Sequence, residues 1–149
     1  MELCYAFLDR AAGELGCPCV AGEPMSRHTT FQIGGPADRF SHGGRPWPQL
    51  KGLVKALGQG GLPFLLLGKG SNLLVGDRGF RGAVLLLSGD FKKVEQREEG
   101  LLRAGAGASL ASVCAFARER GLSGLEFAWG IPGSAGGAAY MDAGATAAR

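Results

Sequence analysis

The sequence lacks the long apolar runs and charge clusters that identify several classes of protein. No stretch reaches the roughly 20 apolar residues of a membrane span, and Glu2, Asp9 and Arg10 interrupt the start of the chain. We therefore expect neither a membrane anchor nor a signal peptide, which favours a cytoplasmic protein. The net charge is only +3, and Lys92-Lys93 is the only adjacent basic pair. This scattered charge argues against a nucleic-acid partner.

Residues that ligate metals are also scarce. The 149 residues include two histidines, His28 and His42, which lie in different segments, and four cysteines. The only close cysteine pair, Cys17-Pro18-Cys19, has no matching second pair, so we expect no metal site. Without an export signal, the cysteines are expected to be free thiols.

Glycine, in contrast, is abundant, with 27 residues against a usual share of about 7%. The motif Gly68-Lys69-Gly70-Ser71-Asn72 follows the apolar run 62–67, which predicts a buried strand. A strand that ends in alternating glycines suggests backbone amides that meet an anion, most often a phosphate.

This glycine motif fits neither of the two common nucleotide-binding patterns. A Walker A loop requires a hydroxyl residue after the lysine, but Gly70 follows Lys69. A Rossmann fingerprint requires a third glycine where Leu73 stands, followed by a helix. Residues 73–79 instead predict extended chain and then a turn. Phosphates would therefore meet a loop of amides and not the start of a helix.

A second glycine cluster spans Gly130 to Ala138. Pro132 fixes its own φ angle and Gly133 permits a positive one, while Ser134 is placed to cap a short helix that runs toward Tyr140. Glycine costs about 1 kcal/mol in a helix, so either a closely packed backbone or a flat ligand must require it. Two such loops suggest a long ligand, with a diphosphate at one loop and a ring system at the other. FAD has this shape, and a flavin carries its own redox chemistry.

The hydrophobic pattern predicts an α+β protein. Helices are expected over 2–15, from Pro46 to Leu57 and from a cap at Ser109 to about Arg120. One strand is expected to end near Phe40, and others are expected over 62–67, 82–87, 91–97 and 101–104. Residues 17–26 are expected to be a loop. The expected divisions are an N-terminal helix and loop (1–23), a first FAD-binding subdomain (24–100) and a second, truncated one (101–149).

Three segments together resemble the UDP-N-acetylenolpyruvoylglucosamine reductase (UDP-N-acetylmuramate dehydrogenase) family. They are Arg27 to Ala37, Leu67 to Leu74 and Gly124 to Ala138, in the family's order. The resemblance runs over residues 24–145. It implies a two-lobed FAD-binding domain of the vanillyl-alcohol-oxidase (PCMH) type, without the substrate domain that follows it in the family.

The resemblance also implies an activity in peptidoglycan precursor synthesis. In the family, NADPH reduces bound FAD, and the enolpyruvyl group of a UDP-sugar is then reduced to give UDP-N-acetylmuramate. The family's catalytic Arg, Ser and Glu lie beyond the position of Arg149, so no catalytic residue is assigned and the chain alone is expected to be inactive. Residues 146–149 depart from the family pattern. The residues carried over as FAD contacts are Gly68, Lys69, Gly70, Ser71, Asn72, Leu73, Ile131, Pro132, Gly133, Ser134, Gly136, Gly137 and Ala138.

Two alternatives remain at this point. The chain could be a free-standing FAD- or nucleotide-binding module without catalysis, or part of an oxidase of the same superfamily. Such oxidases often tether the flavin to His or Cys, and neither glycine loop contains either residue. If the chain is instead part of the reductase without its substrate domain, we expect exposed apolar surface, through which the chain can self-associate.

Overall fold

The computed structural model describes residues 2–42 and 47–144. Its helices are α1 (Glu2–Glu14), α2 (Trp47–Gln59), α3 (Leu110–Glu119) and α4 (Ala135–Tyr140). Its strands are β1 (Val20–Pro24), β2 (Pro36–His42), β3 (Phe64–Leu67), β4 (Phe80–Leu86), β5 (Val94–Glu98) and β6 (Leu101–Ala104). The predicted α+β class is confirmed.

Four strands form one sheet in the order β1-β2-β4-β3. Strands β2, β4 and β3 are parallel, and β1 is antiparallel to β2. Parallel strands need crossover connections: α2 connects β2 to β3, which lie on either side of β4, and residues 68–79 connect β3 to β4. Successive side chains of a strand point to opposite faces, so Leu85 joins a core with α1 and α2, whereas Val84 joins a second core with Met25 and Phe40.

A second, smaller unit follows the sheet. Strands β5 and β6 pair as an antiparallel hairpin, and α3, capped by Ser109, follows them. Leu110 and Cys114 of α3 form a third core with Ala128, and Ile131 and Ala138 pack against it. This core holds the segment around Gly130 to Ser134 over α3.

The predicted helices are confirmed, apart from Pro46 at the start of the second, which lies outside the described residues. The loop predicted over 17–26 is wrong, because Val20–Pro24 forms β1. Gly22 and Pro24 are uncommon in strands, so the sequence predicted a loop here. However, β1 lies at the edge of the sheet, where both residues are tolerated. The strand predicted from Phe91 is also wrong at its start, because Gly89–Lys92 forms a 3-10 turn.

Two further findings concern the described residues alone. None of their helices combines the length and the apolar composition that a bilayer crossing requires. Within the same ranges, no cluster of three or more His, Cys, Asp or Glu side chains could hold a metal ion. All four cysteines are free thiols, as predicted.

Candidate functional site

The first glycine loop (68–73) leaves strand β3 and packs on the turn at residues 27–30. The amide of Thr30 donates to the carbonyl oxygen of Gly70 at 3.0 Å. Gly70 has φ +65°, and a Cβ there would collide with the carbonyl oxygen of His28. Only glycine meets both requirements. The loop is therefore fixed by backbone contact with a segment about 40 residues earlier.

The second glycine loop (130–134) is held by residues 105–110. The amide of Leu110 donates to the carbonyl of Gly133 at 3.0 Å, and the amides of Ala135 and Gly136 donate to Ala108 and Ala106 at 2.8 and 2.9 Å. A Cβ at Gly136 would lie 2.6 Å from the Cβ of Ala106. Of the two explanations that the sequence left open, backbone packing accounts for Gly136.

Ser134 links the second loop to α4. Its hydroxyl accepts a hydrogen bond from the amide of Gly137 at 3.2 Å, so the predicted helix cap is confirmed. The residue is only 3% exposed. A Cβ at Gly68 would collide with the hydroxyl of Ser134, so the absence of a side chain at Gly68 lets the first loop pack against this cap.

The two loops also touch at a second point. The hydroxyl of Ser71 donates to the carbonyl of Pro132 at 3.3 Å. A Cβ at Gly133, which has φ +138°, would lie 3.1 Å from the same hydroxyl. Two glycine motifs some 60 residues apart in sequence therefore form one continuous surface.

This surface presents backbone donors that the protein leaves unused. The carbonyls of Gly70 and Gly133 accept bonds from Thr30 and Leu110. Because a trans peptide is planar, the N–H groups of the next residues, Ser71 and Ser134, point the opposite way. Within the described part of the chain neither N–H has a protein acceptor. A buried residue such as Ser134 rarely leaves its N–H unpaired, so these donors fit an anionic group such as the diphosphate of FAD.

The other predicted residues divide into two sets. Lys69, Asn72, Pro132 and Gly137 are exposed beside the loops. Leu73, Ile131 and Ala138 instead pack their side chains into the cores. All three are only partly buried.

Two segments that support the glycine loops were not predicted from the sequence. Residues 105–110 hold the second loop, and residues 28–30 hold the first. The small residues Gly105 to Ala108 are a usable signal for the first of these, because close backbone approach requires small side chains. The position of 28–30 beside Gly70 follows only from tertiary structure.

Two clefts lie away from the glycine loops. One, of about 350 Å³, has Trp47 and Phe91 among its lining residues, together with charged residues of the β5–β6 hairpin. The other lies between Leu3, Phe7 and Gln59 on α1 and α2. The surface built by the two glycine loops is thus separate from both.

Comparison with known proteins agrees with this geometry. Residues 46–149 match the family described as FAD binding domain. The chain is 50% identical over 126 residues to the UDP-N-acetylenolpyruvoylglucosamine reductase of Pelobacter propionicus, covering 85% of this chain and 42% of the relative. It is 48% identical over 123 residues to that of Heliobacterium modesticaldum, covering 83% and 38%. The chain thus spans about two fifths of the length of these relatives.

A solved structure shows the same fold. The crystal structure of UDP-N-acetylenolpyruvylglucosamine reductase from Thermus caldophilus superposes with a TM-score of 0.67 at 34% identity, covering 87% of this chain and 43% of that one. The predicted resemblance and the FAD-binding fold are confirmed. The chain belongs to the FAD-binding domain family.

Proposed function

We propose that this chain is the FAD-binding part of a UDP-N-acetylmuramate dehydrogenase. The full enzyme would use NADPH to reduce the enolpyruvyl group of UDP-N-acetylglucosamine enolpyruvate, in peptidoglycan precursor synthesis in the cytoplasm. The proposal is supported by reductase relatives at 42–50% identity. It is supported equally by the single surface that the two glycine loops form.

The observation that carries the cofactor assignment is the pair of unused N–H groups at Ser71 and Ser134. Each N–H belongs to a peptide group whose carbonyl, at Gly70 or Gly133, accepts a hydrogen bond. The direction of each N–H is therefore fixed before a ligand binds. Preorganised amide dipoles bind a diphosphate without the cost of ordering a flexible side chain. Residues 68–72 would hold the diphosphate, while Ile131, Gly133, Ser134 and 136–138 would face diphosphate and ring.

Bound FAD would supply the hydride chemistry. The residues of this chain would bind and orient it, because both loops are fixed by backbone contacts to neighbouring segments. We propose that the family's catalytic Arg, Ser and Glu come from sequence that follows the matched region. On this view the 149 residues alone bind flavin but do not turn over the UDP-sugar.

We also propose that the chain divides into an N-terminal helix and loop (1–23) and two FAD-binding subdomains (24–100 and 101–149). The separate four-stranded and two-stranded sheets support two subdomains, although the break between these sheets lies between Leu86 and Val94 and not at residue 100. The two glycine loops fall on different sides of the boundary, so the proposed FAD site spans both subdomains.

A visible absorption spectrum tests the cofactor assignment. The purified chain is mixed with FAD, desalted and scanned, and we expect a retained flavin spectrum near one equivalent. A folded chain that loses all flavin on desalting would contradict the assignment. Adding NADPH under anaerobic conditions then asks whether this part alone supports flavin reduction.

A further inference from the structure

The side chain of His28 is held from two sides. Its Nε2 donates to the carboxylate of Glu23, on β1, at 2.9 Å. Its ring stacks on Phe40, on β2, with centroids 4.1 Å apart. Phe40 is itself only 2% exposed, so the ring of His28 packs against the core of the sheet. Arg27 also approaches Glu23, at 3.7 Å.

The backbone of the same residue touches the first glycine loop. The carbonyl oxygen of His28 occupies the space that a Cβ at Gly70 would need. Two residues later, the amide of Thr30 donates to the carbonyl of Gly70 at 3.0 Å. That bond sets the plane of the peptide between Gly70 and Ser71, and with it the direction of the Ser71 N–H. A shift of the turn would therefore rotate this donor.

The far end of the connection between β3 and β4 is held by the same stretch of chain. The amide of Gly35 donates to the carbonyl of Gly76 at 3.1 Å. A Cβ at Gly79 would collide with the carbonyl oxygen of Pro36. Residues 28–36 thus fix both ends of the connection that carries the first glycine loop, and His28 is the member tied to the core by its side chain.

We propose that His28 is a positioning residue for FAD: through its bond to Glu23 and its stacking on Phe40, it holds the turn at 27–30 and so aims the Ser71 N–H at the diphosphate. This inference rests on the proposed FAD binding. On this proposal His28 acts through the turn at 27–30 and not by direct contact with FAD.

The test combines two measurements on the 149-residue chain. The first is the backbone amide NMR signals of Gly70 and Ser71 in the flavin-free protein, and the second is the FAD dissociation constant. For His28→Ala we expect both amide signals to move and FAD affinity to fall about tenfold, the size expected when one charge-assisted hydrogen bond is lost. Glu23→Ala should behave similarly, while Glu23→Gln, which keeps an acceptor for His28, should stay close to wild type.

Ser41→Ala is the matched control. It removes a buried hydrogen bond to the carbonyl of Cys17 beside Phe40, so it lowers stability without touching the turn. If His28→Ala affects the amide signals and FAD affinity no more than Ser41→Ala does, the positioning role is wrong. If wild type binds no FAD, the proposed function fails. The amide signals then still show separately whether His28 orients the Ser71 N–H: moved signals support that part of the inference, and unmoved signals overturn it.

Discussion

Gly70 and Gly76 lie in the same connection but have different surroundings. Gly70 has φ +65° and no room for a Cβ, whereas a Cβ at Gly76 meets nothing within 4 Å. Gly70→Ala should cost about 2 kcal/mol of unfolding free energy from the left-handed backbone alone, and should abolish flavin retention. Gly76→Ala should leave both unchanged. Urea unfolding and the desalting assay measure the pair, and equal behaviour of the two variants would contradict the loop geometry described above.

Ser134 and Ser109 allow a similar comparison. Each caps a helix through its hydroxyl, so Ser134→Ala and Ser109→Ala should each cost about 1 kcal/mol and lower the melting temperature by about 3 °C. Only the hydroxyl of Ser134 also packs against Gly68. FAD affinity should therefore fall more for Ser134→Ala. Equal affinities for the two variants would show that this contact has no part in binding.

At the scale of elements, α1 is fastened to the sheet by polar contacts. The hydroxyl of Tyr5 donates to the carboxylate of Asp38, on β2, at 2.6 Å. On the same helix Asp9 pairs with Arg39 at 2.8 Å. Burial, together with the hydrogen bond to Asp38, raises the pKa of Tyr5 from its usual 10.0 to about 12. The folded protein therefore favours the protonated phenol.

This shift predicts a pH-dependent contribution of Tyr5 to stability. The contribution is complete below pH 10.0 and is lost as the pH rises toward about 12. The difference in unfolding free energy between wild type and Tyr5→Phe should therefore shrink as the pH rises from 10.0 toward about 12. Cys19, whose pKa burial raises to about 11, titrates in both proteins and cancels.

Elements defined by their own local sequence pattern could be predicted, whereas elements that depend on pairing with a distant segment could not. Helices α1, α2 and α3 were predictable from the apolar spacing within their own sequences. The cap at Ser109 was predictable from a serine placed just before α3. Strand β1 has no such pattern and exists because it pairs with β2, for example Glu23 with Ala37. The two glycine loops were predicted from their composition, but the partners that hold them, residues 28–30 and 105–110, depend on contacts that no local window contains.

At the scale of the whole molecule, several large apolar side chains remain exposed. Leu66 is 47% exposed on β3, which lies at the edge of the sheet. Leu74, Trp129 and Tyr140 are 66%, 53% and 89% exposed. An edge strand with exposed apolar residues is a template for pairing with another chain. We therefore propose that the isolated chain self-associates.

Sedimentation velocity across a range of concentrations tests this self-association. Wild type should shift to larger species as concentration rises. Leu66→Lys, which places a charge on the edge strand, should reduce that shift. Leu3→Lys is the control, because Leu3 is also an exposed leucine, at 87%, but lies on α1. The opposite order would place the contact on the helix, and a concentration-independent monomer would contradict self-association.

The order of the sheet also bears on the time course of folding. Parallel pairing joins Phe40 to Val84 and Leu67 to Leu86, and such non-local strand pairs form slowly compared with helices. The first glycine loop connects β3 to β4 and rests on residues that precede β2. It can reach its final geometry only after these strands have met. During refolding from denaturant, helical circular dichroism should therefore recover first, and quenching of added flavin should follow in a slower phase.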